Sequence, residues 1–417
     1  MTRMKESGID WIGQIPEEWR VRPIKHIVET PVTDGPHETP VLYETGIPFL
    51  SAEAVKDGVL DFNYKRGYIS LKDHDRFKKK ISPKKDDIFI VKSGATTGNV
   101  GIVNTDEIFD IWSPLALIRC NKTLAIQKYI YFYLLSTLFK SQVEFNWSFG
   151  TQQNIGMGVI ERIKVILPPV PEQQEIVEVL DKKTAQLNKI KSLLEEQIQK
   201  LKDYRSSLIY ETVTKGLDKT VPMKDSGIDW IGQVPEGWGV SRLKYYFDIY
   251  AGGDIDERNT VEEYSESHPY PVLSNSLENE GVLGYTNKYR FKKNCVTVTG
   301  RGDVGKAVYR NIKFYPVVRL LVCVPKSQVD CRFVTYWINS AIIEKNQTAV
   351  SQLTIQMLGE LIFVNVPFLE QKNISDFLDK KTNQVDKLIQ IKNQQIDNIN
   401  KQRETLIYDY VTGKKRA

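Results

Sequence analysis

Two stretches of the chain repeat apolar residues at a strict interval of seven. In the first, over 171–216, leucines recur at every seventh position while Lys, Glu, Gln and Asp fill most of the others. The leucines are Leu180, Leu187, Leu194, Leu201 and Leu208. A narrow apolar stripe of this period is typical of a helix that pairs with another helix in a coiled coil. Pro171 suits the first turn of such a helix, and Gly216 suits the position just past its end.

The second stretch, over 368–413, keeps the same step with one change. Its stripe positions are Leu378, Val385, Lys392, Ile399 and Leu406, so a lysine stands where the first stretch has Leu194. A charge at such a position fixes the register of pairing at some cost in stability. We predict that the two helices pair antiparallel, each on the order of 60 Å long at 1.5 Å per residue. The alternative is that each helix packs only on its own domain. Ile176, Ile190 and Ile198 are expected to add to the first stripe, and Leu388 to the second.

The remainder of the chain is also duplicated. Met4–Trp19 reads MKESGIDWIGQIPEEW, and Met223–Trp238 reads MKDSGIDWIGQVPEGW. The offset between the copies changes along the chain, so the globular parts differ in length while their ends stay recognisable. The predicted order is a globular domain over 1–170, a helix over 171–216, a globular domain over 217–367 and a helix over 368–413. We interpret Trp11 and Trp19, echoed by Trp230 and Trp238, as a structural clasp.

Short apolar runs inside the globular parts predict the fold class. The runs 86–92, 100–104, 295–300 and 306–311 predict strands, and 162–169 and 319–325 are typical of buried strands. The runs 128–144 and 332–347 have helical spacing with many aromatic residues. We therefore expect an α/β (α+β) architecture. It would have two similar domains with twisted sheets, separated by two long antiparallel coiled-coil helices and related by an internal pseudo-twofold repeat. Strand order stays open.

Composition narrows the class of protein without deciding it. The chain has 417 residues, of which 41% are hydrophobic and 26% charged, as in an ordinary globular protein of two or three domains. A net charge of +5 is compatible with nucleic-acid binding. Four cysteines without paired spacing and four histidines indicate neither a disulfide framework nor a zinc site. The N-terminus lacks a signal peptide and no apolar run reaches a membrane span, so we expect a cytoplasmic protein with no membrane contact.

The segment Gly300–Ala307, GRGDVGKA, matches the openings of two nucleotide-binding motifs. Ala307 stands where a P-loop needs a hydroxyl group, and the residues that follow alternate like a strand, whereas both motifs open a helix. We therefore expect no nucleotide site. A nucleotide-using enzyme built on Gly300–Lys306 stays an alternative, which ATP binding by the isolated chain would support.

The counterpart of this segment in the first copy is Ser93–Gly101, and both predict a glycine-rich turn between two strands. Glycines let the backbone approach a ligand closely, so polar side chains at these turns are candidates to contact a phosphate or a base edge. A plain hairpin is the alternative. The candidates are Lys92, Ser93, Thr96, Thr97 and Asn99 in the first copy, and Arg301, Asp303 and Lys306 in the second.

A second polar turn precedes the last strand of each copy. Gln and Asn present a donor and an acceptor together, which suits the reading of adenine edges, although such residues are equally common in solvated loops. The candidates are Gln152, Gln153, Asn154, Ser351 and Gln352. Basic clusters are either phosphate contacts or simply solvated faces. Their candidates are Lys78, Lys79, Lys292 and Lys293. No motif for amino-methyl transfer, complete Walker motif or metal-ligand cluster stands out, which favours a binding protein over an enzyme.

Four features together resemble the specificity subunit of type I restriction–modification systems. They are SGIDWIGQIPEEW, the SGATTGNVG turn, GTQQNIG, and ILPPVPEQQEIVEVLD leading into the heptad helix, and the arrangement is repeated once. The second copy departs in detail, because PFLEQKNI lacks the double proline and TQQN becomes QLTI.

The resemblance implies a non-catalytic subunit with two target recognition domains, each reading one half of a split, asymmetric site in double-stranded DNA. It implies that the helices set the spacer and dock two methyltransferase subunits, which use S-adenosylmethionine to methylate adenine. Restriction and translocase subunits that use ATP and Mg would complete the assembly, and this chain itself would hold no cofactor. The alternative is a stand-alone DNA-binding or coiled-coil regulatory protein, which failure to bind methyltransferase subunits would favour.

Overall fold

The chain forms two compact units, and both long helices contribute to both of them. Unit 1 comprises Met1–Leu194 and Gln394–Ala417, and unit 2 comprises Glu195–Asn393. The computed structural model describes residues 3–9, 12–145, 154–345 and 352–417, with the backbone alone for 342–345. The boundary between the units thus crosses each long helix near its middle, whereas the predicted domain boundaries lie at the helix ends.

Unit 1 combines short strands with helices that pack on one another. Its strands are β1 (Met4–Glu6), β2 (Gln14–Pro16), β3 (Arg20–Pro23), β4 (Thr33–Asp34), β5 (Ile47–Leu50), β6 (Val55–Lys56), β7 (Val59–Leu60), β8 (Gly67–Ile69), β9 (Ile88–Val91), β10 (Val100–Ile102), β11 (Asp110–Ile111), β12 (Leu115–Ile118) and β13 (Lys164–Leu167). Its helices are α1 (Leu71–Phe77), α2 (Gln127–Leu135), α3 (Thr137–Phe145), α4 (Met157–Arg162), the first part of α5 (Val170–Lys215) and the last part of α8 (Phe368–Val411).

The main sheet of unit 1 has the order β4-β12-β9-β10-β7-β6, and β11-β5-β8 form a second sheet. The central strand β9 pairs antiparallel with both β12 and β10. All four of its residues are buried, which explains why Ile88–Val91 reads as an unbroken apolar run instead of alternating. The aromatic helices α2 and α3 share one core with this sheet, through Tyr129, Tyr133 and Phe139.

Unit 2 repeats this plan with different lengths. Its strands are β14 (Met223–Asp225), β15 (Gln233–Pro235), β16 (Gly239–Arg242), β17 (Phe247–Ala251), β18 (Thr260–Val261), β19 (Tyr270–Leu273), β20 (Val282–Thr286), β21 (Cys295–Thr299), β22 (Ala307–Arg310), β23 (Tyr315–Pro316), β24 (Leu320–Pro325) and β25 (Ile362–Asn365). Its helices are the second part of α5, then α6 (Cys331–Lys345), α7 (Ile355–Gly359) and the first part of α8 (Phe368–Val411).

The two larger sheets of unit 2 have the orders β17-β24-β21-β22 and β18-β20-β19-β23. The central strand β21 pairs antiparallel with β24 and β22, as β9 pairs with β12 and β10 in unit 1. Helix α6 packs on this sheet, and its Trp337 donates to the Ile362 carbonyl at 2.8 Å. Tyr133 makes the equivalent bond to the Lys164 carbonyl at 3.0 Å in unit 1. The predicted fold class and internal repeat are therefore confirmed.

A buried glutamine fixes the start of each long helix to its own domain. Gln173 accepts a bond from the Ile126 amide at 2.8 Å and donates to the Pro168 carbonyl at 2.9 Å. In unit 2, Gln371 accepts from the Asp330 amide at 2.9 Å and donates to the Val366 carbonyl at 2.7 Å. Each amide thereby satisfies main-chain groups that would otherwise be buried without a partner, which gives the repeated Glu-Gln pair of the sequence a structural reason.

A tryptophan lies beside each of these helix starts. Trp19 is fully buried and donates its indole N–H to Glu172 at 2.9 Å. Gly413, just past the end of α8, packs on the same ring, because a Cβ at this position would lie 3.2 Å from it. The clasp interpretation is confirmed for Trp19 and for its repeat Trp238. Trp230 is partly buried, and its ring packs on Trp337 of α6 with the centroids 5.6 Å apart. Trp11 lies outside the described residues.

The long helices pair within each unit. In unit 2, Lys392 donates to Gln197 at 2.6 Å, and Arg205 forms an ion pair with Asp386 at 3.2 Å. As the residue number rises on α5 it falls on α8, so the helices run antiparallel. In unit 1, Lys183 of α5 bonds the hydroxyl of Tyr410 of α8 at 3.4 Å. The helices thus pack on each other as well as on their domains.

The predicted stripe residues line these helices to different depths. Leu180, Leu378 and Val385 are buried. The other stripe positions are half-buried, namely Leu187, Leu194, Leu201, Leu208, Lys392, Ile399 and Leu406. The expectation for Ile190 and Leu388 was wrong, because they are 48% and 47% exposed. The half-buried position next to each of them belongs to Lys191 and Ile389.

Candidate nucleic-acid interface

In unit 1 the glycine-rich turn meets the second polar turn. Ser93 forms a β-bridge with Asn154, and the Ile155 amide donates to the Lys92 carbonyl at 2.7 Å. The Thr97 hydroxyl closes the glycine-rich turn by donating to the Gly94 carbonyl at 2.6 Å. Two segments that are far apart in sequence therefore share one surface. Gln152 and Gln153 lie outside the described residues.

Lys92 lies beneath this surface and is not displayed on it. Its ammonium group is 2.7 Å from Asp34, which also accepts from Lys80 at 2.6 Å and lies 3.2 Å from His37. The side chains of Lys92 and Asp34 are only 13% and 9% exposed. Burial alone would raise the pKa of Asp34, but hydrogen bonds from Lys80 and Lys92 outweigh it and hold the pKa below its ordinary value. Lys92 is therefore held by a buried carboxylate, and it supports the turn.

The other candidates of unit 1 are exposed. Thr96 and Asn99 lie on the outside of the glycine-rich turn, and Asn99 borders a cleft of about 390 Å³ that Arg403 of α8 also lines. Lys79 is exposed, and Lys78 pairs with Asp75 at 2.5 Å. Lys78 and Lys79 directly follow α1 and are part of neither turn.

The equivalent turns also meet in unit 2. The Leu353 amide donates to the Gly300 carbonyl at 3.0 Å, and the Gly300 amide donates to the side chain of Asn275 at 2.8 Å. The Thr299 hydroxyl closes the turn by accepting from the Lys306 amide at 2.9 Å and donating to the Asp303 carbonyl. The segment joins the antiparallel strands β21 and β22. The expected strand after this segment is therefore confirmed, whereas both nucleotide-binding motifs would open a helix. Ser351 lies outside the described residues.

The remaining candidates of unit 2 are spread over three surfaces. Arg301 and Asp303 are exposed beside an open depression of about 810 Å³. Lys306 lines a different cleft of about 580 Å³ with residues of α5, α6 and α8. Lys292 and Lys293 line a third depression, of about 570 Å³, near Tyr250. The glycine-rich turn therefore does not present all its polar side chains to one ligand.

Sequence reasoning missed Arg319, which immediately precedes β24. It is exposed and lines the same depression as Arg301 and Asp303. Its guanidinium donates to Gln352 of the second polar turn at 2.8 Å. A single arginine before an apolar run has no distinguishing pattern. The one indirect signal is Gly300, where a Cβ would lie 2.3 Å from the Arg319 carbonyl oxygen.

Within the described part of the chain, no cluster of His, Cys, Asp and Glu is arranged to hold a metal ion. The four cysteines are unpaired and buried, and burial raises the pKa of the Cys120 and Cys331 thiols to about 12 each, so these two stay protonated at neutral pH. Over the same residues, no helix combines the length and apolar character needed to cross a membrane.

Comparison with known proteins identifies the two-unit arrangement. Residues 16–200 and 235–401 each match the sequence profile of the type I restriction modification DNA specificity domain. The chain belongs to this family. Both matched segments contain a glycine-rich turn and a second polar turn. The specificity subunit is therefore a non-catalytic DNA-recognition subunit of a type I restriction–modification system, and it carries two recognition domains.

Relatives and a solved structure agree over nearly the whole length. The chain is 26% identical to the putative type I restriction enzyme MjaX specificity subunit of Methanocaldococcus jannaschii, covering 97% of this chain and 96% of that protein. It is 22% identical to the MjaVIII specificity subunit of the same organism, covering 97% and 94%. A chain solved in work on complex assembly and conformational transition of the type I R-M system has the same fold, with a TM-score of 0.73 at 14% identity and coverage of 96% and 99%.

Proposed function

We propose that each unit reads one half of a bipartite, asymmetric site in double-stranded DNA through its pair of joined turns. The main-chain bonds from Ile155 to Lys92 and from Leu353 to Gly300 carry this proposal, because they build the same surface in both units from turns of different sequence. Equivalent surfaces with different side chains are suited to two different half-sites. The candidate side chains at these turns, apart from Lys92, are the proposed contacts, with the exposed lysines as phosphate contacts that position the complex.

We further propose that the long helices set the spacer between the half-sites and dock two methyltransferase subunits. Ile190 and Leu193 on α5 are each 48% exposed, and Leu388 and Ile391 on α8 are 47% and 50% exposed. The two pairs occupy equivalent positions of the repeat, because Ile190 and Leu388 follow the LDKKT motif of their own helix at the same distance. Exposed apolar pairs indicate contact with a partner, and one pair on each helix fits two copies of the same partner.

The chemistry then belongs to the partners. Methyltransferase subunits would supply S-adenosylmethionine and adenine methylation, and restriction and translocase subunits would supply the chemistry that uses ATP and Mg. The specificity subunit contributes sequence recognition and spacing. Since its substrate is DNA in a bacterial or archaeal type of defence complex, we propose that it works in the cytoplasm.

The test is genome-wide mapping of adenine methylation in cells that express this chain with its partner methyltransferase. We expect one bipartite motif with two unequal halves and a fixed spacer. Methylation at a continuous motif, or none that depends on this chain, would contradict the proposal. Omitting the chain while keeping the methyltransferase is the matched control and should abolish the motif.

A further inference from the structure

We propose that Arg319 reads a guanine in the half-site recognised by unit 2. The inference rests on the proposed function of unit 2 in DNA recognition and assigns a base to one side chain.

The backbone holds Arg319 in an unusual conformation. Its φ of +74° lies in the left-handed region, which residues other than glycine rarely adopt. Gly300, which follows the neighbouring strand β21, lies beside it, and any side chain at 300 would collide with the Arg319 carbonyl oxygen. Asn275 fixes both segments, because its side chain accepts from the Gly300 amide at 2.8 Å and donates to the Val318 carbonyl at 3.2 Å. Backbone strain kept in place by neighbours is characteristic of functional positions.

The guanidinium group is oriented but keeps its charge. Gln352 accepts its bond from Nη1 at 2.8 Å and is its sole hydrogen-bond partner in the part of the chain that the structure describes. A guanidinium has five N–H donors, so most of them stay available to a ligand. The group that binds Arg319 is the neutral amide of Gln352, whereas Lys92 in unit 1 is paired with the carboxylate of Asp34. Arg319 is thus pre-oriented for a further, bidentate contact.

The surroundings favour a base edge over a phosphate. The depression of about 810 Å³ that Arg319 lines is also lined by Arg301, Asp303 and Glu278. The charges of these four side chains sum to zero, and a phosphate placed beside Arg319 would lie near two carboxylates. Guanine presents the acceptors N7 and O6 to the major groove without a negative charge, in a geometry that matches the arginine fork.

The equivalent position of unit 1 has no such group. Pro114 immediately precedes β12, as Arg319 precedes β24, and its carbonyl accepts from the Lys92 amide at 2.8 Å. The cation beside it, Lys92, is paired with Asp34. The guanine is therefore assigned to the half-site of unit 2.

The test uses the full chain assembled with its partner methyltransferase. Arg319→Lys keeps the charge but loses the fork, and Arg319→Ala loses both. For each variant, we would map the methylated motif and measure binding to duplexes substituted one base pair at a time. We expect discrimination at one guanine of one half-site to fall about 5- to 150-fold, the range for one bidentate contact, while the other half-site is unchanged. Arg258→Ala removes another exposed arginine of unit 2 and should leave both half-sites unchanged.

Three results would overturn the assignment. The motif could stay unchanged, the affected position could hold a base pair without guanine on either strand, or binding could weaken equally on all sequences with a shallower salt dependence, which marks a phosphate contact. The half-site of unit 1 reports folding within the same molecule, so a variant that still reads it is folded. Failure of the proposed function looks different, because the unmodified chain would then direct no bipartite methylation.

Discussion

The indole nitrogen of Trp238 lies 3.0 Å from a carboxylate oxygen of Glu370 and donates a hydrogen bond to it. Glu370 is in the first turn of α8, and Gly216, just past the end of α5, packs on the same indole ring. Trp19, Glu172 and Gly413 repeat this arrangement in unit 1. One buried tryptophan in each unit therefore holds the start of one long helix beside the end of the other.

The indole bond of this clasp can be tested by Trp238→Phe, which keeps an aromatic ring but removes the donor. We expect the free energy of unfolding to fall by about 1–3 kcal/mol, because Glu370 loses its partner and the smaller ring leaves a void. Urea denaturation of the purified chain measures the change. Trp230→Phe is the matched control, since Trp230 is only partly buried, and it should have a smaller effect. Equal effects of the two variants would argue against the clasp.

The glycine that ends α5 provides a second test. Gly216 has a φ of +72°, and a Cβ there would lie 3.1 Å from Glu370 and 3.2 Å from Trp238. Gly227 has the same φ with nothing within 4 Å of its Cβ position. Gly227→Ala should lower stability by about 1 kcal/mol through the backbone alone. Gly216→Ala should lower it by roughly 1 kcal/mol more through crowding of the clasp. Equal losses in denaturant unfolding would contradict this packing.

The buried carboxylate of Asp34 makes a prediction about pH. Its pKa is lowered from the ordinary value of 3.8, so its ionised form stabilises the fold above that pH. This contribution is lost as the pH falls through the lowered value in the folded state. Asp34→Asn at neutral pH leaves the charge of Lys92 without its buried partner, and we expect a loss of about 3 kcal/mol.

The matched control for this variant is Asp106→Asn, which breaks the exposed ion pair with Lys85 and should change stability little. Urea unfolding at neutral pH and below about pH 4 measures both variants. The difference between Asp34→Asn and the unmodified chain should shrink as the pH falls from about 4 through the lowered pKa of Asp34, because the carboxylate of the folded protein is protonated only there. A difference that is the same at both pH values would show that Asp34 does not act through its charge.

The sequence patterns predicted the periodic and repeated parts of the fold. The helix expected over 171–216 is found at Val170–Lys215, because a heptad stripe and its end signals are local features. The candidate DNA surface was only partly predictable. Lys92 looked like a free cation because its partner Asp34 is distant in sequence, and Arg319 gained its position only when β24 packed beside Gly300.

The heptad stripe does not determine which of two adjacent residues, Ile190 or Lys191, faces the helix pair, and the structure does. Ile190 and Lys191 both lie next to the seven-residue step, and the apolar residue was expected inside. The structure turns Ile190 out and half-buries Lys191, and it also turns out Leu388. A heptad pattern predicts only that apolar residues near the stripe are buried. It does not distinguish residues that pack inside the helix pair from residues that are exposed on it, such as Ile190 and Leu388.

These exposed pairs make a prediction about assembly. Replacing Ile190 and Leu193 by Glu places two charges in one proposed docking patch, and the same change at Leu388 and Ile391 places them in the other. We expect each double variant to bind one methyltransferase subunit and the quadruple variant to bind none, measured as the mass of the assembled complex. Leu71→Glu, at an apolar residue that is 71% exposed in unit 1, should bind two subunits. Retention of both subunits by the quadruple variant would exclude these patches.

The length of the helix pair makes the last prediction. Lys392 contacts Gln197 in an antiparallel pair, and one heptad can be removed from each helix near this contact, Leu194–Lys200 from α5 and Gln394–Asn400 from α8, so that both proposed docking pairs are kept. Deleting both segments keeps the stripe in register and shortens the pair by about 10 Å, because each helical residue contributes about 1.5 Å. At about 3.4 Å per base pair, we expect the spacer of the methylated motif to shorten by about three base pairs while both half-sites are unchanged. Deleting one heptad alone is the control, and it should abolish methylation because the pair loses its register. An unchanged spacer in the double deletion would contradict the proposal that helix length sets the spacer.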